Sequence, residues 1–153
     1  FCDVMEGLGA KISRAGSTCI QGPEQLEPLA QINMQTMPDV ALTLIAMSPL
    51  LSAPIGITGL QSLHRKECDR LECPATELRA MGVGLQTTQS TITVVPLGNK
   101  LPTNHCLTTY HDHRMAMAFA TLGSAYGTLS VDDKQVVNKT YPEFWRDYAR
   151  LAQ

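Results

Sequence analysis

A fixed interval of 73 residues constrains this chain of 153 more than any other feature. Gly82 follows Gly9 at that interval, Ser90 follows Ser17, Thr91 follows Thr18 and Pro96 follows Pro23. Asp112 then follows Asp39, Lys139 follows Lys66 and Leu151 follows Leu78, with apolar matches such as Leu44 and Met117 between them. Identities that keep one ungapped register over most of a chain mark duplicated structural units. A mixed α/β fold assembled from repeats is therefore expected.

One unit reads as a helix over Phe1 to Leu8 stopped by Gly9, short strands at Lys11 to Ser13 and Thr18 to Gln21 around Gly16, and a polar stretch to Thr36. A second helix over Val40 to Leu51 ends at Pro49 and Pro54, and Ile55 to Leu60 is a strand. The next unit repeats the order: helix Glu67 to Met81, hairpin Gly84 to Pro96, helix Asp112 to Tyr126 and strand Thr128 to Val131. Thr140 to Leu151 opens a third, with Thr140 and Glu143 at capping-box spacing and Phe144, Trp145 and Tyr148 as core. Pro74, which lacks an N–H, predicts a kink or a late start in its helix. The chain opens on Phe1 inside an amphipathic pattern, so it is expected to be cut from a longer polypeptide.

With 44% hydrophobic residues, 17% charged and a net charge of −2, disorder is excluded, as is a bulk electrostatic pull toward nucleic acid or an anionic membrane. Any anion must be bound locally. The longest apolar run, Val40 to Leu51, is broken by Thr43, Ser48 and Pro49 and falls short of the ~20 residues that span a bilayer. Five cysteines without paired zinc spacing predict free thiols in a reduced compartment. His111 and His113 lack a third ligand, so no metal is expected. Asn138-Lys139-Thr140 fits a glycosylation acceptor only by chance in such a compartment.

Chemistry concentrates at helix beginnings. Asp112 is placed to cap a helix, yet Arg114 follows in the first turn, where the helix dipole disfavours a cation unless an anion shares the space. The bland alternative is a solvated Arg114 paired with Asp112. In Arg65-Lys66-Glu67-Cys68-Asp69-Arg70, Lys66 and Arg70 share a helix face and Glu67 can pair with Arg70. An acid flanked by bases suits proton transfer, although mixed charges at a helix start are commonly a solvated face. Because Lys139 repeats Lys66 and Asp112 repeats Asp39, pseudo-symmetry brings these groups to one end of stacked units.

Lys66-Glu67-x-Asp69-Arg70, Asp112-His113-Arg114-Met115-Ala116-Met117-Ala118-Phe119 and Lys139-Thr140-x-Pro142-x-Phe144, preceded by Met37-Pro38-Asp39, resemble the C-terminal part of the EPSP synthase family of enolpyruvyl transferases, over nearly the whole chain. The resemblance implies domains of three βαβαββ units forming an inside-out α/β barrel, with residues 1–153 as about two units of one partial domain and the N-terminal partner domain absent. It implies transfer of the enolpyruvyl group from phosphoenolpyruvate to the 5-hydroxyl of shikimate 3-phosphate in the cytoplasm, with no cofactor. Arg70 and Arg114 would hold the carboxylate of phosphoenolpyruvate and Lys139 its phosphate. Glu67 would move the proton, Lys66 would lie between the substrates, and Asp39 would help deprotonate the attacking hydroxyl. Ser62 stands where some members have an Asn that contacts shikimate 3-phosphate, and Asp112 and His113 support the site.

Cys68 replaces the family's Thr or Ser, and Pro74 is atypical. The family's other motifs for shikimate 3-phosphate lie in the absent half, so the isolated chain is expected to show little or no turnover. The alternatives are a non-catalytic anion-binding repeat domain and an enolpyruvyl transferase for another acceptor.

Overall fold

Helix α1 (Cys2–Gly7) leads into a hairpin of β1 (Lys11–Ala15) and β2 (Ser17–Gln21), then β3 (Gln31–Asn33), α2 (Pro38–Met47) and β4 (Ile55–Thr58). The chain continues through α3 (Glu72–Ala80), β5 (Gly84–Thr87), β6 (Ile92–Val95), β7 (Cys106–Leu107), α4 (His113–Tyr126), β8 (Ser130–Val131) and α5 (Phe144–Leu151). This computed structural model describes residues 1–97, 104–127 and 129–151.

A four-stranded sheet in the order β3-β4-β6-β5 forms the centre, with β3 parallel to β4 and the other neighbours antiparallel. Alternation sets its faces: Ile55 and Ile57 of β4 oppose Val94 and Ile92 of β6, and all four are buried. β7 pairs in parallel with β8, as β3 does with β4. Helices α2 and α4 pack against each other, burying Leu42, Leu44 and Ile45 from one and Met115, Phe119 and Leu122 from the other. Shifted by 73 residues, the ranges of α1, β1, β2, α2 and β4 overlap α3, β5, β6, α4 and β8. Gly9 and Gly82, the same distance apart, both take positive φ just past a helix, at 93° and 85°. None of the described helices is long and apolar enough to cross a membrane.

Several elements differ from expectation. The polar stretch before Thr36 contains β3, which forms because Gln31–Asn33 finds partners on β4; of its three side chains only Ile32 carries apolar signal. Helix α2 starts at Pro38 and ends at Met47, and the chain tightens into a 3₁₀ turn at Ser48–Leu50 where the Ser48 hydroxyl donates to the Ile45 carbonyl at 2.6 Å. Helix α3 begins at Glu72 and not at Glu67, the late start that Pro74 predicts: the Asp69 carboxylate accepts the N–H groups of Leu71 and Glu72, both at 3.0 Å. Pro74 then sits in the first turn, where an N–H has no helical partner to lose. The capping box at Thr140 does not form, since α5 begins at Phe144 and Glu143 pairs with Arg146 at 2.6 Å. Phe144, Trp145 and Tyr148 are half-buried rather than core: Phe144 stacks on Tyr148, Trp145 meets both rings edge to face, and the Tyr148 hydroxyl donates to the Ala120 carbonyl of α4. The exit strand is described only at Ser130–Val131; Thr128 lies outside the described residues.

Candidate active site

Arg70 is the centre of the site. Its side chain is only 2% exposed, and a guanidinium so removed from water needs carboxylates around it. Asp112 supplies both oxygens, accepting from Nε at 2.7 Å and from a terminal nitrogen at 3.2 Å. Glu67 accepts from the guanidinium at 2.6 Å and Asp39 at 3.1 Å. Three separate stretches of chain thus converge: the turn before α3, the first turn of α2 and the residue ahead of α4.

Helix beginnings dictate these positions. Asp39 follows Pro38 at the start of α2. Asp112 caps α4 in extended conformation, its Oδ1 accepting the Arg114 N–H at 2.8 Å as well as a terminal Arg70 nitrogen, while Oδ2 accepts from Arg70 Nε. Around this buried core lie three more accessible cations. Lys66 Nζ is 3.1 Å from Asp39, Arg114 reaches Asp39 at 3.7 Å, and Lys139, closing a 3₁₀ turn at Gln135–Lys139, donates to Glu67 at 2.6 Å. Four cations meet three carboxylates, leaving one positive charge in excess. Each accessible cation has a carboxylate partner from which an incoming anion can draw it, since two-pronged carboxylate or phosphate contacts suit Arg and a point charge suits Lys.

The electrostatics follow from this packing. The Lys139 hydrogen bond, aided by the Arg70 and Lys139 charges, pulls the Glu67 carboxyl down to about 2. Burial opposes ionisation of Asp112, but hydrogen bonds from Arg70 and the Arg114 N–H outweigh it and hold the carboxyl below the usual range. Asp39 behaves alike, with burial opposed by the Lys66 hydrogen bond and the charges of Arg114, Lys66 and Arg70. Burial lowers His113. Its buried Nδ1 has no hydrogen-bond partner among the described residues and lies 3.6 Å from Asp112.

Of the residues singled out in the sequence, Asp39, Lys66, Glu67, Arg70, Asp112, Arg114 and Lys139 come together. Ser62, exposed on the 3₁₀ turn Gln61–Arg65, makes none of the cluster's hydrogen bonds or ion pairs. Residues 66–71 are a turn rather than a helix, so Lys66 and Arg70 do not share a helical face, although Glu67 still pairs with Arg70. Arg114 pairs with Asp39 and not with Asp112, whose carboxylate is turned inward. Cys68, which stands where the family has Thr or Ser, places its thiol 3.5 Å from Asp112, and one feature carries no sequence signal: a buried Glu77 beneath the loop that precedes α4. All five cysteines are free thiols.

Residues 1–148 match the family model for EPSP synthase (3-phosphoshikimate 1-carboxyvinyltransferase). The chain is 36% identical over 146 residues to the 3-phosphoshikimate 1-carboxyvinyltransferase of Bacteroides fragilis, covering 94% of this chain and 33% of that protein. Against the enzyme of the same name from Nostoc punctiforme it is 33% identical over 154 residues, covering 100% of this chain and 35% of the relative. The chain therefore spans about a third of the length of the curated relatives it matches. Its fold is similar to EPSP synthase from Acinetobacter baumannii (TM-score 0.74, 22% identity, 99% of this chain and 38% of that one). It is also similar to the enolpyruvyl transferase NikO from Streptomyces tendae (TM-score 0.71, 17% identity, 98% and 34%).

Proposed function

The chain belongs to the EPSP synthase family, and on that premise we propose that it carries the phosphoenolpyruvate side of an active site whose remainder lies elsewhere in the enzyme. The observation that carries this reading is the buried Arg70 ringed by acids and by three accessible cations. Arg70 and Arg114 bind the carboxylate of phosphoenolpyruvate and Lys139 its phosphate. Asp39, Lys66 and Ser62 face shikimate 3-phosphate, whose other contacts come from the N-terminal domain. The chain is one partial domain of duplicated units, and the reaction takes place in the cytoplasm.

Addition requires a proton at the methylene carbon while the 5-hydroxyl attacks the neighbouring carbon. Glu67 supplies that proton and Asp39 accepts the one from the hydroxyl. In the second stage the carbon–oxygen bond to phosphate breaks, phosphate leaves with the electron pair, and Glu67 takes a proton back from the methyl group. With its carboxyl held at about 2, Glu67 is ionised before substrate binds. When phosphate draws Lys139 away, Glu67 loses the hydrogen bond that depresses it most and becomes able to hold a proton. The substrate anion thus tunes its own acid.

The test is phosphate release from phosphoenolpyruvate and shikimate 3-phosphate, by the chain alone and mixed with the N-terminal portion of a homologous enzyme. Release in the mixture only, abolished by Glu67→Gln, is the expected result. A folded chain that supports no release in either case contradicts the proposal and favours a non-catalytic anion-binding domain.

A further inference from the structure

Glu77 is a carboxylate for which the reaction has no use. It lies on α3 at 5% exposure and bonds none of the seven clustered charged residues, yet a buried acid persists only where donors surround it. Those donors come from one short segment. The Tyr110 hydroxyl donates to Oε1 at 2.8 Å, the Thr108 N–H donates to Oε2 at 3.3 Å, and His105 Nε2 lies 3.0 Å from Oε2.

The same segment contains the most unusual backbone of the site. Tyr110 and His111 adopt φ of 53° and 56°, the left-handed region that residues with side chains avoid, and an aromatic residue there is an outlier. Two such residues in succession deliver the chain to Asp112, which caps α4 and clamps Arg70. On the other flank the Thr109 N–H donates to Asp132 at 2.9 Å and the Asp112 N–H to the Thr109 carbonyl at 2.9 Å. A disfavoured conformation survives only where its surroundings over-determine it; the Tyr110 ring packs against the core, and Glu77, accepting from its hydroxyl, adds a directional restraint on the strained pair itself. Burial and then Glu77 push the Tyr110 hydroxyl up, so it stays a donor throughout the neutral range.

We propose that Glu77 is a positioning residue: through Tyr110 it holds the left-handed pair 110–111, and thereby sets Asp112 and Arg114 for anion binding. Only the binding readout below rests on the phosphoenolpyruvate reading of the site.

The experiment compares the unaltered chain with Tyr110→Phe, Glu77→Ala, Glu77→Gln and the pair Tyr110→Phe with Glu77→Ala. Amide hydrogen exchange is read at Arg114, whose N–H is held by Asp112, and at Leu122 inside α4. Tyr110→Phe and Glu77→Ala are expected to speed exchange at Arg114 by about tenfold beyond any change at Leu122, as a charge-assisted hydrogen bond is lost. The pair is expected to add little to either alone, because both break one restraint. Glu77→Gln, which keeps an acceptor for Tyr110, should recover part of the protection. Dissociation constants for phosphoenolpyruvate should weaken in the same order. Exchange that rises equally at Arg114 and Leu122, or not at all, overturns the proposal, since Glu77 would then be structural only. If the unaltered chain binds no phosphoenolpyruvate, the functional reading fails while the exchange pattern still decides the role of Glu77.

Discussion

Asp112→Asn separates the two tasks that one side chain performs. Asn keeps the shape and still accepts the Arg114 N–H, since Asn caps helices about as well as Asp. It loses the charge facing Arg70, in a pair whose side chains are 0% and 2% exposed. Removing one partner of a buried pair costs about 3–5 kcal/mol when the other is left alone. Arg70 is not left alone, because Glu67 and Asp39 remain at 2.6 and 3.1 Å. The loss should therefore sit near one charge-assisted hydrogen bond, about 2 kcal/mol. Asp112→Ala also loses the cap, adding about 1 kcal/mol. Urea unfolding followed by circular dichroism measures both, and the melting temperature of the Asn variant should fall by about 4–8 °C at this chain length. Asp39→Asn is the control: its carboxylate is 46% exposed, so its removal should cost under about 1 kcal/mol. An Asp112→Asn variant as stable as the unaltered chain, or an Asp39→Asn variant just as damaged, refutes the reasoning.

Other outcomes are expected from the same physics. Asp39, Glu67 and Asp112 all have depressed folded-state pKa values, so the unfolded chain binds more protons in acid. The stability they confer is complete above the ordinary carboxylate range and is lost as pH falls through the folded values, toward about 2 for Glu67; urea midpoints across that range should decline, and less so in Glu67→Gln. Gly59 has φ of 77°, and a Cβ there would meet the Asn33 side chain and, at 2.7 Å, the Gln35 nitrogen, so Gly59→Ala should lower stability by about 2 kcal/mol or more in the same assay. Gly7→Ala, in a helix with nothing within 4 Å of the added atom, should raise it by about 0.5–1 kcal/mol. Burial raises the Cys68 thiol, whereas Cys19 and Cys106 are exposed, so mass-spectrometric alkylation at neutral pH should label those two at least about tenfold faster.

Much of the site was legible because its residues sit at helix beginnings, where local rules are strong. Asp112 reads as a cap and Arg114 as a cation out of place beside it, and the structure bears out the cap, with the Arg114 N–H donating to the Asp112 carboxylate. What spacing could not reveal was direction. The inward turn of Asp112 depends on Arg70, 42 residues away in sequence, and that contact diverts Arg114 to Asp39. β3 carries little sequence signal because its pairing with β4 is tertiary, whereas Pro74 does announce the late start of α3 and only the Asp69 contacts that fix it lie outside the apolar pattern. Glu77 was silent for the same reason. Its partners Tyr110 and His105 lie about 30 residues on, and an acid at the margin of a helix's apolar face looks solvated until the loop above it is known.

Calorimetric titration of the chain with phosphoenolpyruvate tests the central claim most directly. Saturable one-to-one binding is expected, weakened by at least about tenfold in Arg114→Met and in Lys139→Met, since each removes a charge-assisted contact to the anion. Arg146→Met should leave binding unchanged, because Arg146 pairs with Glu143 just ahead of α5 and with Asp147 on it. A folded chain that gives no binding, or binding indifferent to Arg114 and Lys139, contradicts the claim that this cluster is an anion site.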